Sequence, residues 1–149
     1  MQEYKVTVDS QGTVHWRDLK TDKIHRVDGP AVEHANGDKY WYICGKLHRV
    51  DGPAGEYTNG DKRWYLNDKL HRVDGPAVEY VSGYKSWWLN GKLNRVDGHA
   101  IEYADGDKEW YLDGVEYTES EFNAKMNSGS CEGREIEIDG VTYTLKVKE

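Results

Sequence analysis

The sequence has no long hydrophobic run. Nothing in it approaches the roughly 20 consecutive apolar residues that cross a bilayer, and its N-terminus carries no signal-peptide pattern. The expectation is a soluble protein kept in a cytoplasm, the host's cytoplasm if the source is viral, with no membrane as partner. Phenylalanine is nearly missing as well: one Phe stands beside 6 Trp and 11 Tyr. Amphipathic aromatics therefore carry the hydrophobic material, which suits half-exposed strands better than a thick interior. The two cysteines, Cys44 and Cys131, lie far apart and at no metal-ligand spacing. Cys44 reads as an incidental thiol at a turn tip.

An excess of positive charge is also absent. The formal net charge is −7; residues 1–93 hold 14 Lys and Arg against 13 Asp and Glu, and residues 94–149 hold 6 against 14. Direct nucleic-acid binding needs a basic stripe to neutralise phosphates, and none is present. The acidic C-terminal part reads as a solvated surface, with a face that meets a basic partner or mimics nucleic acid as the sharper alternative. Catalytic signatures are missing too. There is no Gly-rich phosphate loop, no nucleophile elbow and no His-Glu-x-x-His pattern, so neither a catalytic residue nor a cofactor is expected.

What the chain does have is a 23-residue period. The run His25-Arg26-Val27-Asp28-Gly29-Pro30-Ala31 recurs unchanged from His48 and from His71, and returns altered as Asn94-Arg95-Val96-Asp97-Gly98-His99-Ala100. A fixed period of this length marks units that bury their faces on one another. Each unit reads as hairpins. A short strand such as residues 31–34 leads to a turn at Asn36-Gly37, Asn59-Gly60, Ser82-Gly83 or Asp105-Gly106, which predicts a two-residue hairpin turn. A second strand such as residues 39–43 leads to a second tight turn at Cys44-Gly45, Asn67-Asp68, Asn90-Gly91 or Asp113-Gly114. Gly-Pro then marks the bend to the next unit.

A degenerate unit spans residues 1–24, with a turn after Trp16 that is two residues longer than its sisters. At the other end Thr118 and Glu121 fit a capping box, with Tyr117 and Phe122 placed as a hydrophobic staple. This predicts a helix over residues 119–127, then a linker at 127–130 and a hairpin over 134–148 around Asp139-Gly140. The expected fold is all-β: an elongated meander of about five antiparallel hairpins (residues 1–117) and a C-terminal cap (residues 118–149).

Strand alternation assigns faces. Trp41, Trp64, Trp87 and Trp110 share a side with Ile43, Leu66, Leu89 and Leu112, the side expected to be buried. The variable position Tyr40, Arg63, Ser86 and Glu109 is expected to face solvent. Beside it stand Tyr42, Tyr65, Trp88 and Tyr111, joined from the first strands by His34, Tyr57, Tyr80 and Tyr103. This strip reads either as cross-strand packing or as a surface for a partner. Arg26, Arg49, Arg72 and Arg95 complete the candidate binding residues.

A shared metal is not expected at His25, His48 and His71. Copies of one residue two strands apart lie roughly 9–10 Å apart, whereas ligands of one zinc all lie within about 2.3 Å of it. Turn stabilisation is the expected role of these histidines. Asp28, Asp51, Asp74 and Asp97 are likewise too uniform in environment for an acid/base pair, and each is expected to cap its bend.

The period, the turn Asn90-Gly91-Lys92 and its equivalents, the following His and the Gly-containing hairpins resemble MORN-type repeats across residues 25–127. Here Arg-Val-Asp-Gly-Pro follows the His and Trp-Tyr occupies the second strand, a form similar to repeats of uncharacterised bacteriophage and large-virus proteins. The resemblance implies a binding or scaffolding module, of a kind that a phage turns on a host component. MORN repeats are also associated with lipid surfaces, which the acidic balance disfavours.

The function expected is therefore non-enzymatic binding of a host protein, as a phage-encoded inhibitor. The alternative is a sponge that holds a nucleotide-like small molecule between aromatics and Arg, and a repeat-derived enzyme ranks below both. Assembly into a homo-oligomer is left open.

Overall fold

The computed structural model describes residues 3–128, 135–138 and 141–144. Five hairpins lie side by side in one antiparallel sheet. They are Tyr4–Val8 with Val14–Asp18, Val32–Glu33 with Lys39–Tyr40, Gly55–Glu56 with Lys62–Arg63, Val78–Glu79 with Lys85–Ser86, and Ile101–Glu102 with Lys108–Leu112. Val115–Tyr117 adds the last strand at the far edge. The chain is thus the all-β hairpin meander that its period predicts. Among the described residues no helix is long and apolar enough to cross a membrane.

The second strand of the middle units is not continuous. It breaks at Trp41, Trp64 and Trp87, and the chain leaves the main sheet to form a smaller hairpin: Tyr42–Ile43 with Lys46–Leu47, Tyr65–Leu66 with Lys69–Leu70, and Trp88–Leu89 with Lys92–Leu93. The tryptophan backbone serves both hairpins. Trp41 donates its N–H to the Ala54 carbonyl of the next unit and accepts from His48 N–H, at 2.9 and 3.0 Å. Trp64 and Trp87 repeat both bonds. In the last unit no further Ala-containing strand follows, and residues Lys108–Leu112 run unbroken.

The two turns of each unit differ. Cys44, Asn90 and Asp113 have φ of 52°, 51° and 51°, each followed by a glycine with positive φ. This is the two-residue type I′ turn that matches strand twist. Asn67-Asp68 forms it without glycine, at φ 52° and 66°, and Asp68 Oδ1 accepts Leu47 N–H at 2.8 Å across the units. The first turns correct the expectation. At residues 34–38 only Gly37 has positive φ, Gly37 N–H reaches the His34 carbonyl, and His34 N–H reaches the Asp38 carbonyl. The loop therefore has three residues, a type I turn closed by a glycine bulge. The longer turn of the first unit is as expected: Asp18 N–H bonds to the Lys23 carbonyl around four intervening residues.

Register across the sheet divides it into two faces. One carries Glu33, Lys39, Glu56, Lys62, Glu79, Lys85, Glu102 and Lys108, each directly opposite a residue of the other sign. Such pairs contribute about 0.2–1 kcal/mol each, and a one-residue slip would move the whole ladder to the wrong face. The other carries Val32, Tyr40, Gly55, Arg63, Val78, Ser86, Ile101 and Glu109.

The core is correspondingly thin. Ala31, Ala54, Ala77 and Ala100 are wholly buried, with Val32, Gly55, Val78 and Ile101 next to them. Two expectations are overturned. The tryptophans are only half-buried, and the variable position is not solvent-facing: Tyr40, Arg63 and Glu109 are half-buried and Ser86 is 1% exposed. The residues at the centre of the sheet are small, and the larger side chains of its own strands lie half-buried over them.

The C-terminal helix Glu119–Ser128 has the expected cap. Thr118 N–H and Oγ1 donate to Glu121 Oε2 at 2.9 and 2.8 Å, while Glu121 N–H donates to Thr118 Oγ1 at 3.2 Å. Phe122 is buried and the helix packs on the last two strands of the array. Glu135–Ile138 pairs with Val141–Thr144 as the predicted final hairpin; of the linker expected at 127–130, residues 127 and 128 instead continue the helix, while 129–130 and the turn at 139–140 lie outside the described residues.

Ala77 is wholly buried, so Ala77→Leu should destabilise the protein by about 1–3 kcal/mol through overpacking. Urea unfolding followed by tryptophan fluorescence measures this. A loss below about 0.5 kcal/mol would mean that the alanine row is not the core.

Candidate functional site

Each bend is built around its arginine. Arg49 lies over the Trp41 ring at 4.1 Å from the centroid, donates Nε to Asp51 Oδ1 at 2.8 Å, and donates Nη1 to the Pro53 carbonyl at 3.1 Å and to Glu56 Oε1 at 3.0 Å. Arg72 does the same with Trp64, Asp74, Pro76 and Glu79. Arg26 stacks on Trp16 at 3.8 Å and bonds Asp28 and the Pro30 carbonyl, with Glu33 at 3.5 Å. The glycine of the bend is needed for this approach. A Cβ on Gly52 or Gly75 would lie 2.9 Å from the guanidinium carbon. The aspartates therefore act on the arginine rather than on the bend's backbone, and the arginine side-chain bond holds each carboxyl below its ordinary range.

The fourth bend varies the scheme. Arg95 keeps Trp87, Asp97 and a backbone carbonyl, here that of His99. His99, in place of proline, sets its ring edge-on to Trp87 and Trp110 and brings Nε2 to 3.3 Å from Glu102 Oε2.

The histidines that open the units stabilise the second turn of the same unit. His25 Nδ1 accepts Cys44 N–H at 2.9 Å and His71 Nδ1 accepts Asn90 N–H at 3.1 Å. His48 Nδ1 lies 3.1 Å from Asn67 Oδ1, and Asn94 Oδ1 accepts Asp113 N–H at 2.8 Å. Among the described residues no three of His, Cys, Asp and Glu gather as metal ligands. Cys44 is an exposed thiol at its turn tip, and Cys131 lies outside the described residues.

The aromatic strip of the sequence reading lies on the face opposite the Glu–Lys ladder. Tyr40 meets His34 and Tyr57 edge-on, and Arg63 lies between the Tyr57 and Tyr80 rings at 5.2 and 5.4 Å. Tyr84 packs against Tyr80 and Tyr103, while Glu109 accepts from the Tyr103 and Tyr111 hydroxyls. Trp88 donates Nε1 to the buried Ser86 hydroxyl at 2.7 Å. Burial raises Tyr42 and Tyr57 above the ordinary phenol range and, with the Glu109 bond, pushes Tyr111 up to about 12. These rings cover the core and are bonded to one another.

Small clefts lie beside Tyr65 and Asn90, about 400 Å³, and between Trp110 and the start of the helix, about 350 Å³; the bends carry larger ones. Between successive bends run three equivalent grooves of about 670, 500 and 470 Å³. Their floors are Trp41 with Ile43, Trp64 with Leu66, and Trp87 with Leu89; their walls are the Arg-Val-Asp-Gly-Pro runs. Val27, Val50, Val73 and Val96 stand out along this row, with Val50 84% and Val73 81% exposed. Period-2 alternation does not single out these valines, because it speaks of strands and they sit in bends. Their signal was a β-branched apolar residue held in every copy of a turn.

No protein-family model matches the chain, and no curated protein matches it.

Arg72→Ala removes a stacked cation and leaves the Pro76 carbonyl and Glu79 without their donor. It should cost about 2–3 kcal/mol in denaturant unfolding, with Arg72→Lys recovering only part because the planar fork is lost. A cost under about 0.5 kcal/mol would show the clamp to be idle.

The aspartates set the acid response. A depressed carboxyl contributes stability that is full above its unfolded value of about 3.9 and is lost as pH falls through the folded one. The thermal midpoint should drop below about pH 4, and Asp51→Asn with Asp74→Asn should flatten that drop. An equally steep drop in the double variant would overturn the assignment.

Proposed function

We propose that the protein is a non-enzymatic binding module that takes a macromolecular partner along the row of grooves between its bends. The valine row carries this reading. Arg, Asp and Gly of each bend have internal work in the clamp, but Val50 and Val73 are almost wholly exposed. Valine nevertheless returns as Val96 in the fourth unit, where the His and Pro positions have changed to Asn94 and His99. Solvation offers no reason to repeat an apolar side chain on a bend, whereas a partner surface does. Several open clefts of equivalent lining, in line, also fit an extended contact better than one enclosed ligand.

The same geometry weighs against the nucleotide sponge. That reading needs arginines directed at phosphate, and these guanidinium groups are stacked on tryptophan and bonded to carboxylates and carbonyls. The further reading, a phage-encoded inhibitor of a host protein in the host cytoplasm, is supported by the MORN-type motif resemblance.

Immobilised protein incubated with bacterial lysate tests the surface. Val50→Asp with Val73→Asp should leave the thermal midpoint within about 2 °C and abolish capture of any partner held by the wild type. Tyr65→Ala with Trp88→Ala should lower the midpoint. A partner that survives the valine changes but is lost from a folded strip variant would move the site to the aromatic face.

A further inference from the structure

We infer that the groove row is built to receive a proline-rich, lysine-bearing segment in the polyproline II conformation, an inference that rests on the binding-module reading above. Three observations on the bend face lead to it. The first is pitch. Each unit contributes two strands to the main sheet, so successive grooves are about 9.4–9.8 Å apart at 4.7–4.9 Å per strand. A polyproline II helix advances about 3.1 Å per residue with three residues per turn, or about 9.3 Å per turn. A ligand lying across the strands therefore returns the same side chain to every groove. A β-strand ligand, with its alternate side chains separated by roughly 6.8 Å, falls out of step at once.

The second observation is the chemistry of each groove. A tryptophan and an aliphatic residue form the floor, and exposed valines of two successive bends stand at its sides. Aromatic-lined grooves between ridges take proline, which arrives with its backbone already ordered and loses little entropy on docking. The third is the sign of the rim. Within each clamp the cation lies inside and the anion outside: the Arg72 side chain is 22% exposed and its partner Asp74 is 78% exposed, and Arg49 and Asp51 have the same values. Arginine engages one oxygen, Oδ1, and an ionised carboxylate has acceptor positions beyond that one bond. A lysine ammonium on the ligand can therefore share each aspartate. A three-residue repeat supplies all of this, with one proline in the groove, one lysine on the rim and the third residue towards solvent. Three grooves accommodate about nine residues.

The test uses the full-length protein and labelled 12-residue peptides followed by fluorescence anisotropy. The probes are a (Lys-Pro-Pro) repeat, a (Lys-Gly-Gly) repeat, a (Glu-Pro-Pro) repeat, and a peptide with the composition of the first but its four lysines adjacent. The first should bind at least about tenfold more tightly than each of the others. Val50→Asp with Val73→Asp should abolish that binding, and Asp51→Asn with Asp74→Asn should weaken it and reduce its salt dependence. Equal binding of the lysine-clustered peptide overturns the pitch argument, and equal binding of the glycine peptide overturns the groove argument. If no peptide binds while the valine variant still loses its captured partner, the inference about ligand class falls and the binding-module reading stands. If the valine changes affect neither peptide nor partner, both fall.

Discussion

The stacking of an arginine guanidinium on the tryptophan of the preceding hairpin is the contact on which the array depends. It joins what the chain would otherwise leave apart. The tryptophan ends one hairpin in the main sheet and begins the smaller one, and the arginine begins the bend that leads to the next unit. Asp51 or Asp74 orients the guanidinium from two residues ahead, Glu56 or Glu79 from seven ahead, and a prolyl carbonyl takes a third donor. Such a group satisfies its planar donors without being deeply buried, so it avoids the desolvation cost of an interior ion pair. Glycine in the bend follows from this contact as much as from the turn, because a side chain there would occupy the guanidinium's place.

The smallness of the buried core explains why such a clamp is needed. Among the described residues the main sheet buries mostly small side chains: a row of alanines with Val32, Gly55, Val78 and Ile101, and Thr13, His25 and Ser86. Each unit then contacts chiefly its neighbours, and cohesion is the sum of interfaces between adjacent units. The first unit supplements its own interface through Tyr4, which meets Trp16 edge-on and accepts Val27 N–H at 3.1 Å. The last does so with the capped helix and Phe122.

The two faces have separate tasks for the same reason. Tyrosines and Trp88 lie over the small core residues and bond to Arg63, Ser86 and Glu109, which leaves that face occupied with packing. The clamp consolidates the opposite side and leaves valine ribs and aspartate rims standing outward. An apolar, acid-rimmed groove recurs between successive bends because three of the four bends share one sequence and the fourth keeps its Arg, Val, Asp and Gly.

Much of this was legible in the sequence. The 23-residue period, the five hairpins, the type I′ turn dipeptides and the capping box at Thr118 and Glu121 are local signals, and local signals survive without knowledge of the partner strand. The Glu–Lys ladder was present too, as Glu33, Glu56, Glu79 and Glu102 against Lys39, Lys62, Lys85 and Lys108, although only the register turns a list of charges into opposed pairs. Tertiary structure alone decided three things: that the strand breaks at tryptophan, that Ser86 and its equivalents lie inside, and that the arginines stack rather than reach outward. The Trp41–Ala54 bond, the Arg63–Tyr80 bond and the Arg49–Trp41 stack each join residues of adjacent units, and alternation within one strand carries no information about a neighbouring unit.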